Sequence, residues 1–177
     1  MCIRDRSHAT NHEVIRAELE PDAGVTAVID KWQPLFDSFA NEVVGSITAD
    51  INRGGNMGDM GDDRGVESAA GNLVADAQFA ATQNFLTQVA FMNPGGVRSD
   101  LTFADSDGEG DGNVTFGEAF TFQPFNNGLE VLTLSGAQIV AVLEEQCQPA
   151  GSSRPFLHLG VSEGFSYDLA KTIESGD

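Results

Sequence analysis

Positive charge is what this sequence has least of. Its 177 residues carry 9 Lys and Arg against 27 Asp and Glu, a formal net charge of −18. So acidic a chain is repelled by nucleic-acid phosphates and anionic lipid, which excludes non-specific binding to either. Cysteine is scarcer still: Cys2 and Cys147 stand far apart, too few for a disulfide framework or a thiolate metal cluster. His8, His12 and His158 have no metal-ligand spacing with Asp or Glu. No apolar run approaches the ~18 residues that cross a bilayer, so no membrane span is expected. There is no Gly-x-Ser-x-Gly elbow, Walker loop or Cys-His arrangement. The segment Met1-Cys2-Ile3-Arg4-Asp5-Arg6-Ser7-His8 lacks the apolar stretch of a signal peptide. Residues 1–20 are therefore left unassigned, and one domain is expected over 21–177. Its end, 171–177, reads as the beginning of a turn, so the domain is expected to be incomplete there.

What remains is a globular composition, 41% hydrophobic, with enough chain for one substantial core. Helical spacing of Val25, Val28, Ile29, Trp32, Leu35, Phe36 and Phe39 predicts a helix over 22–39, which Pro34 should kink or divide. Loose alternation predicts a strand over 42–51, and five glycines make 52–65 a loop. A helix over 67–86 follows, N-capped by Ser68, with Leu73, Val74, Ala77, Ala80, Ala81 and Phe85 as its apolar face. Strands are predicted at 89–92, 131–134, 156–159 and 164–167, and a helix capped by Ser135 over 137–146. Alternating helices and strands give an α/β domain, a mixed sheet with flanking helices.

Two segments carry candidate chemistry. Asn93-Pro94-Gly95-Gly96-Val97-Arg98 leaves an apolar run and enters a glycine turn ending on an arginine. Glycines let backbone approach a ligand closely, and a guanidinium offers a planar fork to carboxylate or phosphate. An ordinary structural turn accounts for the same residues. Gln123-Pro124-Phe125-Asn126-Asn127 sets a ring beside two amides, either a core phenylalanine or a stacking platform. Between Lys31 and Arg154 the basic residues are Arg53, Arg64 and Arg98; an anion would have to be held by these. Surface decoration suits Arg53 and suits Arg98 poorly.

A third segment has oxygen donors at Asp107, Glu109, Asp111 and Glu118, close to the spacing of a helix–loop–helix calcium site. Its flanks do not suit that motif, since 99–105 is short and polar and Pro124 interrupts an exiting helix. It is either a calcium loop or an acidic, glycine-rich surface insert.

The ordered blocks make a more specific pattern than any one of them. They run from Glu67-Ser68-Ala69-Ala70-Gly71-Asn72-Leu73-Val74-Ala75-Asp76-Ala77 through residues 93–98, Val114-Thr115-Phe116-Gly117-Glu118-Ala119-Phe120 and 123–127. They continue into Leu132-Thr133-Leu134-Ser135-Gly136-Ala137-Gln138-Ile139 and Leu143-Glu144-Glu145-Gln146. In this order the chain resembles the C-terminal domain of the 5′-nucleotidases, a family that includes UDP-sugar hydrolases and 2′,3′-cyclic phosphodiesterases. The resemblance implies a domain that grips a nucleotide and delivers its phosphate to two divalent metals. Those metals belong to an N-terminal metallophosphatase domain in cis, absent from this sequence. It implies Arg64 and Arg98 on the phosphate, with Asn93 hydrogen-bonding beside them. Phe125 would be one wall of the base slot and Asn127 would approach the base edge. It also implies an extracellular or periplasmic hydrolase of nucleotide catabolism, with this chain alone non-catalytic. Departures are Pro94, where glycine is frequent, and the acidic insert between Leu101 and Asn113. The competing expectations are a non-enzymatic calcium-binding or adhesion module built on residues 107–118, and a domain that keeps the fold without its ligand.

Overall fold

The computed structural model describes residue 15 and residues 19–55, 63–106 and 108–168. The chain divides into two compact units, Met1–Ser38 and Phe39–Asp177. The first holds, among its described residues, helix α1, Ala23–Ala40, whose last two residues are assigned to the second. Asp22 starts it: Oδ1 accepts from the N–H groups of Gly24 (2.8 Å) and Val25 (3.0 Å), satisfying donors that the first turn leaves open. Of the expected kink or division at Pro34, the division does not occur, and one helix runs through the residue. A proline removes one hydrogen bond from the ladder, and bonds on either side carry the helix past the gap. The apolar stripe from Val25 to Phe36 is exposed.

Among its described residues the second unit mixes short helices with two antiparallel pairs of strands. Strand β1, Val43–Ser46, pairs with β3, Asn113–Thr115, across a bulge between Val43 and Gly45. Strand β2, Phe91–Met92, pairs with β4, Gly160–Val161. The remaining helices are α2 (Ala69–Ala81), α3 (Phe116–Phe122) and α4 (Gly136–Glu144). Short 3-10 turns occupy Gln83–Phe85 and Pro94–Gly96.

Helix α2 is the organising element. Ser68 caps it as predicted, its hydroxyl accepting from Gly71 N (3.0 Å). The buried face differs from the predicted one: Ala70, Gly71, Val74 and Ala75 point inward, while Leu73 and Phe85 are exposed. The reason is a backbone approach between Gly71 and Gly160, which small residues alone permit. A Cβ built on Gly160 would collide with the carbonyl carbon and oxygen of Gly71 and lie 2.8 Å from its Cα. The side chains of Asn72 and Asp76 then reach across and accept from Val161 N (3.0 Å) and Glu163 N (2.6 Å). Around this seam Ala70, Val74, Ala75, Met92, Val97, Leu101, Val114 and Phe122 form the core.

Several predicted strands shorten or disappear. The 42–51 strand is reduced to β1 and an isolated bridge between Ile51 and Leu101. Residues 131–134 form no strand, and Phe156 and Cys147 make only a single bridge in place of the 156–159 strand. The 164–167 strand is likewise absent, its place in the pairing taken by β4 just before it. A period-two pattern marks a pleated face, but a strand exists only where a partner supplies the ladder. Helix α3 is an addition. Its start is a capping box: Thr115 Oγ1 accepts from Glu118 N (3.2 Å) while Glu118 Oε2 accepts from Thr115 N (2.8 Å).

Candidate functional site

Strand β2 delivers the chain to Asn93, and Pro94 opens the 3-10 turn at the position its fixed φ suits. Gly96 N donates to Asn93 O (3.1 Å), closing the turn. Val97, 2% exposed, then anchors it in the core. Arg98 follows at the surface, its N–H donating to the carbonyl of Phe122 at the end of α3 (2.9 Å). That bond joins the glycine turn to the segment carrying Phe125.

The two arginines meet at Gly95. Arg98 Nη1 donates to the Gly95 carbonyl (3.3 Å). A Cβ built on Gly95 would lie 3.0 Å from Arg64 Nη1 and 3.4 Å from Asn93 Nδ2. Gly95 therefore lies against both guanidiniums and the Asn93 amide, and its missing side chain leaves Arg64 room. The backbone of Arg64 is tied from another direction, its carbonyl accepting from His158 N (2.7 Å). His158 stacks edge-on to Phe156 and lies near Tyr167, whose hydroxyl donates to Gln146 Oε1 (2.9 Å). Burial raises the Tyr167 pKa, the Gln146 hydrogen bond opposes the rise, and the Glu67 charge adds to it.

Phe125 completes the cluster. Its ring centroid is 5.9 Å from the Arg98 guanidinium carbon, within cation–π range, and the residue is 51% exposed. Asn126 takes a left-handed φ of 49°, a conformation asparagine tolerates better than most residues, and so turns the chain just after the ring. Asn127 is exposed beyond that turn and makes no hydrogen bond among the described residues. Of the five predicted ligand residues, Arg64, Asn93, Arg98 and Phe125 thus gather about one turn, with Asn127 at its margin.

Arg53 is where sequence reasoning missed. Far from decorating the surface, its side chain is 20% exposed and pairs with Asp100, itself 18% exposed. The partners lie 47 residues apart, so no local pattern could have revealed them.

In the acidic insert the described carboxylates accept from the loop's own backbone. Asp111 Oδ1 accepts from Asp105 N (3.0 Å), Glu109 Oε1 from Ser106 N (2.8 Å), and Glu118 is engaged in the capping box. Asp107 lies outside the described residues. Among the described residues no group of three or more His, Cys, Asp or Glu side chains is placed to hold a metal ion. The arrangement favours helix capping and turn closure over a calcium module.

Two guanidiniums at one glycine with an exposed ring beside them thus sit on a small mixed helix-and-sheet domain. The family described as 5′-nucleotidase, C-terminal domain, matches residues 43–177, and the chain belongs to it. A cell wall protein of Listeria monocytogenes is 35% identical over 130 residues, covering 71% of this chain and 16% of that protein. The NAD 5′-nucleotidase of Haemophilus influenzae is 30% identical over 157 residues, covering 85% of this chain and 24% of that enzyme. The crystal structure of a 5′-nucleotidase precursor from Thermus thermophilus superposes with a TM-score of 0.57 at 29% identity, covering 78% of this chain and 24% of that one. The chain thus spans no more than 24% of the length of any of these three. Its relatives include hydrolases, and no helix among the described residues is long and apolar enough to cross a membrane.

Proposed function

We propose that residues 21–177 are the substrate-binding part of a 5′-nucleotidase-like phosphoesterase, and that Arg64, Asn93, Arg98, Phe125 and Asn127 hold the nucleotide. The observation that supports this most directly is the convergence of Arg64 and Arg98 on Gly95 with Phe125 beside Arg98. Guanidiniums bind phosphate by charge-assisted hydrogen bonds, and they supply the local positive field that a net charge of −18 otherwise denies an anion. The phenyl face accepts a nucleobase by stacking, which tolerates more than one base. Asn93 and Asn127 offer amides for the phosphate side and the base edge respectively.

The two divalent metals of the family would supply the activated water and the electrophile for phosphate release. The described residues do not fit such a pair, because no trio of metal-ligating side chains is gathered among them. What this chain contributes is binding and orientation, and by itself it is expected to release no phosphate from AMP with manganese. The whole protein would act outside the cytoplasm, extracellularly or in a periplasm, which accords with a cell wall protein among the relatives.

Calorimetric titration of the chain with AMP, adenosine and inorganic phosphate tests the reading. Arg98→Ala should weaken AMP and leave adenosine nearly unchanged. Phe125→Ala should weaken both by about 1–3 kcal/mol, the value of one base–aromatic stack. AMP affinity indifferent to both substitutions would sink the assignment.

A further inference from the structure

The residue that fixes Arg98 is Arg53. Its backbone N–H donates to Asp100 Oδ1 (2.7 Å), its Nε donates to the same oxygen (3.2 Å) and Nη2 to Oδ2 (3.4 Å). The remaining arm, Nη1, donates to the carbonyl of Arg98 (3.1 Å). One guanidinium therefore grips the chain on both sides of Ser99.

The Arg98 backbone is consequently held at two ends, its N–H by the Phe122 carbonyl and its C=O by Arg53. The bridge between Ile51 and Leu101 sets the two segments side by side and brings the fork within reach. With side chains 20% and 18% exposed, the Arg53–Asp100 pair is shielded from solvent far more than a surface ion pair. A planar fork holds both carboxylate oxygens and a carbonyl in one fixed arrangement; a lysine ammonium has the charge and three donors without that fixed shape.

We infer that Arg53 is a positioning residue for the phosphate-binding arginine. It does not touch the ligand. It spends its donors on Asp100 and on the Arg98 carbonyl, so that the turn presents the Arg98 guanidinium toward Phe125 in one orientation. The inference rests on Arg98 as a ligand residue, as proposed above.

Two measurements on the full chain keep the two ideas apart: ¹⁵N relaxation of the Arg98 backbone amide and Nε, and calorimetric titration with AMP and with adenosine. Arg53→Lys should lower the Arg98 order parameters and weaken AMP roughly 3–10-fold, in the lower part of the range of coupling between residues that share partners. Adenosine affinity and the far-UV circular dichroism should be unchanged. The double variant Arg53→Lys with Arg98→Ala should bind AMP no more weakly than Arg98→Ala alone. Asp100→Asn, which keeps the shape and removes the charge, should act as Arg53→Lys does. If Arg98→Ala weakens AMP while Arg53→Lys and Asp100→Asn change neither affinity nor Arg98 order, positioning is refuted and the nucleotide reading stands. If Arg98→Ala has no effect on AMP, that reading fails and takes the role of Arg53 with it. Loss of fold in both Arg53→Lys and Asp100→Asn would assign the pair to folding alone and overturn the inference.

Discussion

Replacing Gly160 with alanine should damage this domain more than any other single methyl group added to a glycine of the α2 seam. The φ of Gly160 lies outside the left-handed region, so the cost is steric. The new Cβ would collide with the Gly71 carbonyl and sit 2.8 Å from its Cα, all of it helix backbone that cannot rotate aside. Ordinary contact requires β4 and α2 to separate by more than an ångström. Two bonds span the same gap, from Val161 N to Asn72 Oδ1 at 3.0 Å and from Glu163 N to Asp76 Oδ1 at 2.6 Å, and both stretch as the elements part. Overpacking of this kind costs about 1–3 kcal/mol. Weakening one or both hydrogen bonds adds ~1 kcal/mol. The sum is about 2–4 kcal/mol, or at ~4 °C per kcal/mol for a domain of this size a fall in Tm of roughly 8–16 °C. Urea unfolding followed by far-UV circular dichroism measures it. Gly128→Ala serves as the control, because a Cβ there meets nothing within 4 Å. A Gly160→Ala protein within ~0.5 kcal/mol of the unaltered chain, the usual range for surface substitutions, would refute the close-approach reasoning.

Other expectations follow from the caps and the buried phenol. Ser68→Ala removes the acceptor for Gly71 N and should cost ~1 kcal/mol of stability, read in the same urea titration; no loss would mean the cap is not formed in solution. Glu118→Ala should lower stability by ~1 kcal/mol to the same extent in chelator and in calcium, whereas a loss confined to calcium would restore a cation role for that loop. Tyr167 is the one tyrosine in the sequence, so phenolate absorbance reads it alone. Its pKa is raised in the fold, chiefly by burial, so the associated stabilisation is complete below the unfolded phenol value of ~10 and is lost as pH rises through the folded midpoint. The native midpoint should exceed that of the urea-unfolded chain, and an equal or lower one would contradict the burial.

The parts of this structure that were legible in sequence are those whose cause is local. Ser68 and Ser135 announce helices because a hydroxyl followed by apolar helical spacing is a cap, and both cap as expected. Thr115 and Glu118 carry the same signal for α3, and it was there to be read. That helix has seven residues, too few for its apolar spacing to stand out beside Pro124. Residues 131–134 are apolar enough for a buried strand but have no ladder partner among the described residues, and no local pattern can announce that. The face of α2 was misjudged because Leu73 and Phe85 looked more apolar than Gly71, whereas the contact with Gly160 needs the absence of a side chain. Within the candidate site Arg98 and Phe125 stand out by residue type and position, whereas Arg64 enters only through the resemblance. The Arg53–Asp100 pair was invisible, since it depends on the Ile51–Leu101 bridge bringing together segments about half a hundred residues apart.

Arg64 and Arg98 share a design that bears on how such a site could hold an anion in a chain of net charge −18. Each has its backbone fixed by non-local hydrogen bonds, Arg64 by His158 and Arg98 by Phe122 and Arg53. Each then brings its guanidinium against Gly95. Long-range repulsion from scattered surface carboxylates is screened over a Debye length of ~8–10 Å at ordinary ionic strength. Two guanidiniums in contact with a phosphate act inside that length and keep most of their strength. Their remaining cost is ordering, which for a long side chain is about 0.5–1.5 kcal/mol at a binding interface. With the binding role proposed above, fixing the backbone and seating the guanidinium before the ligand arrives would reduce that cost. Gly95 is therefore important for what it leaves out: a larger side chain there would push Arg64 from its seat while the arginine itself remained in the sequence. Charge at this site is set by residue identity, but its effectiveness is set by the tethers from other segments that hold the turn.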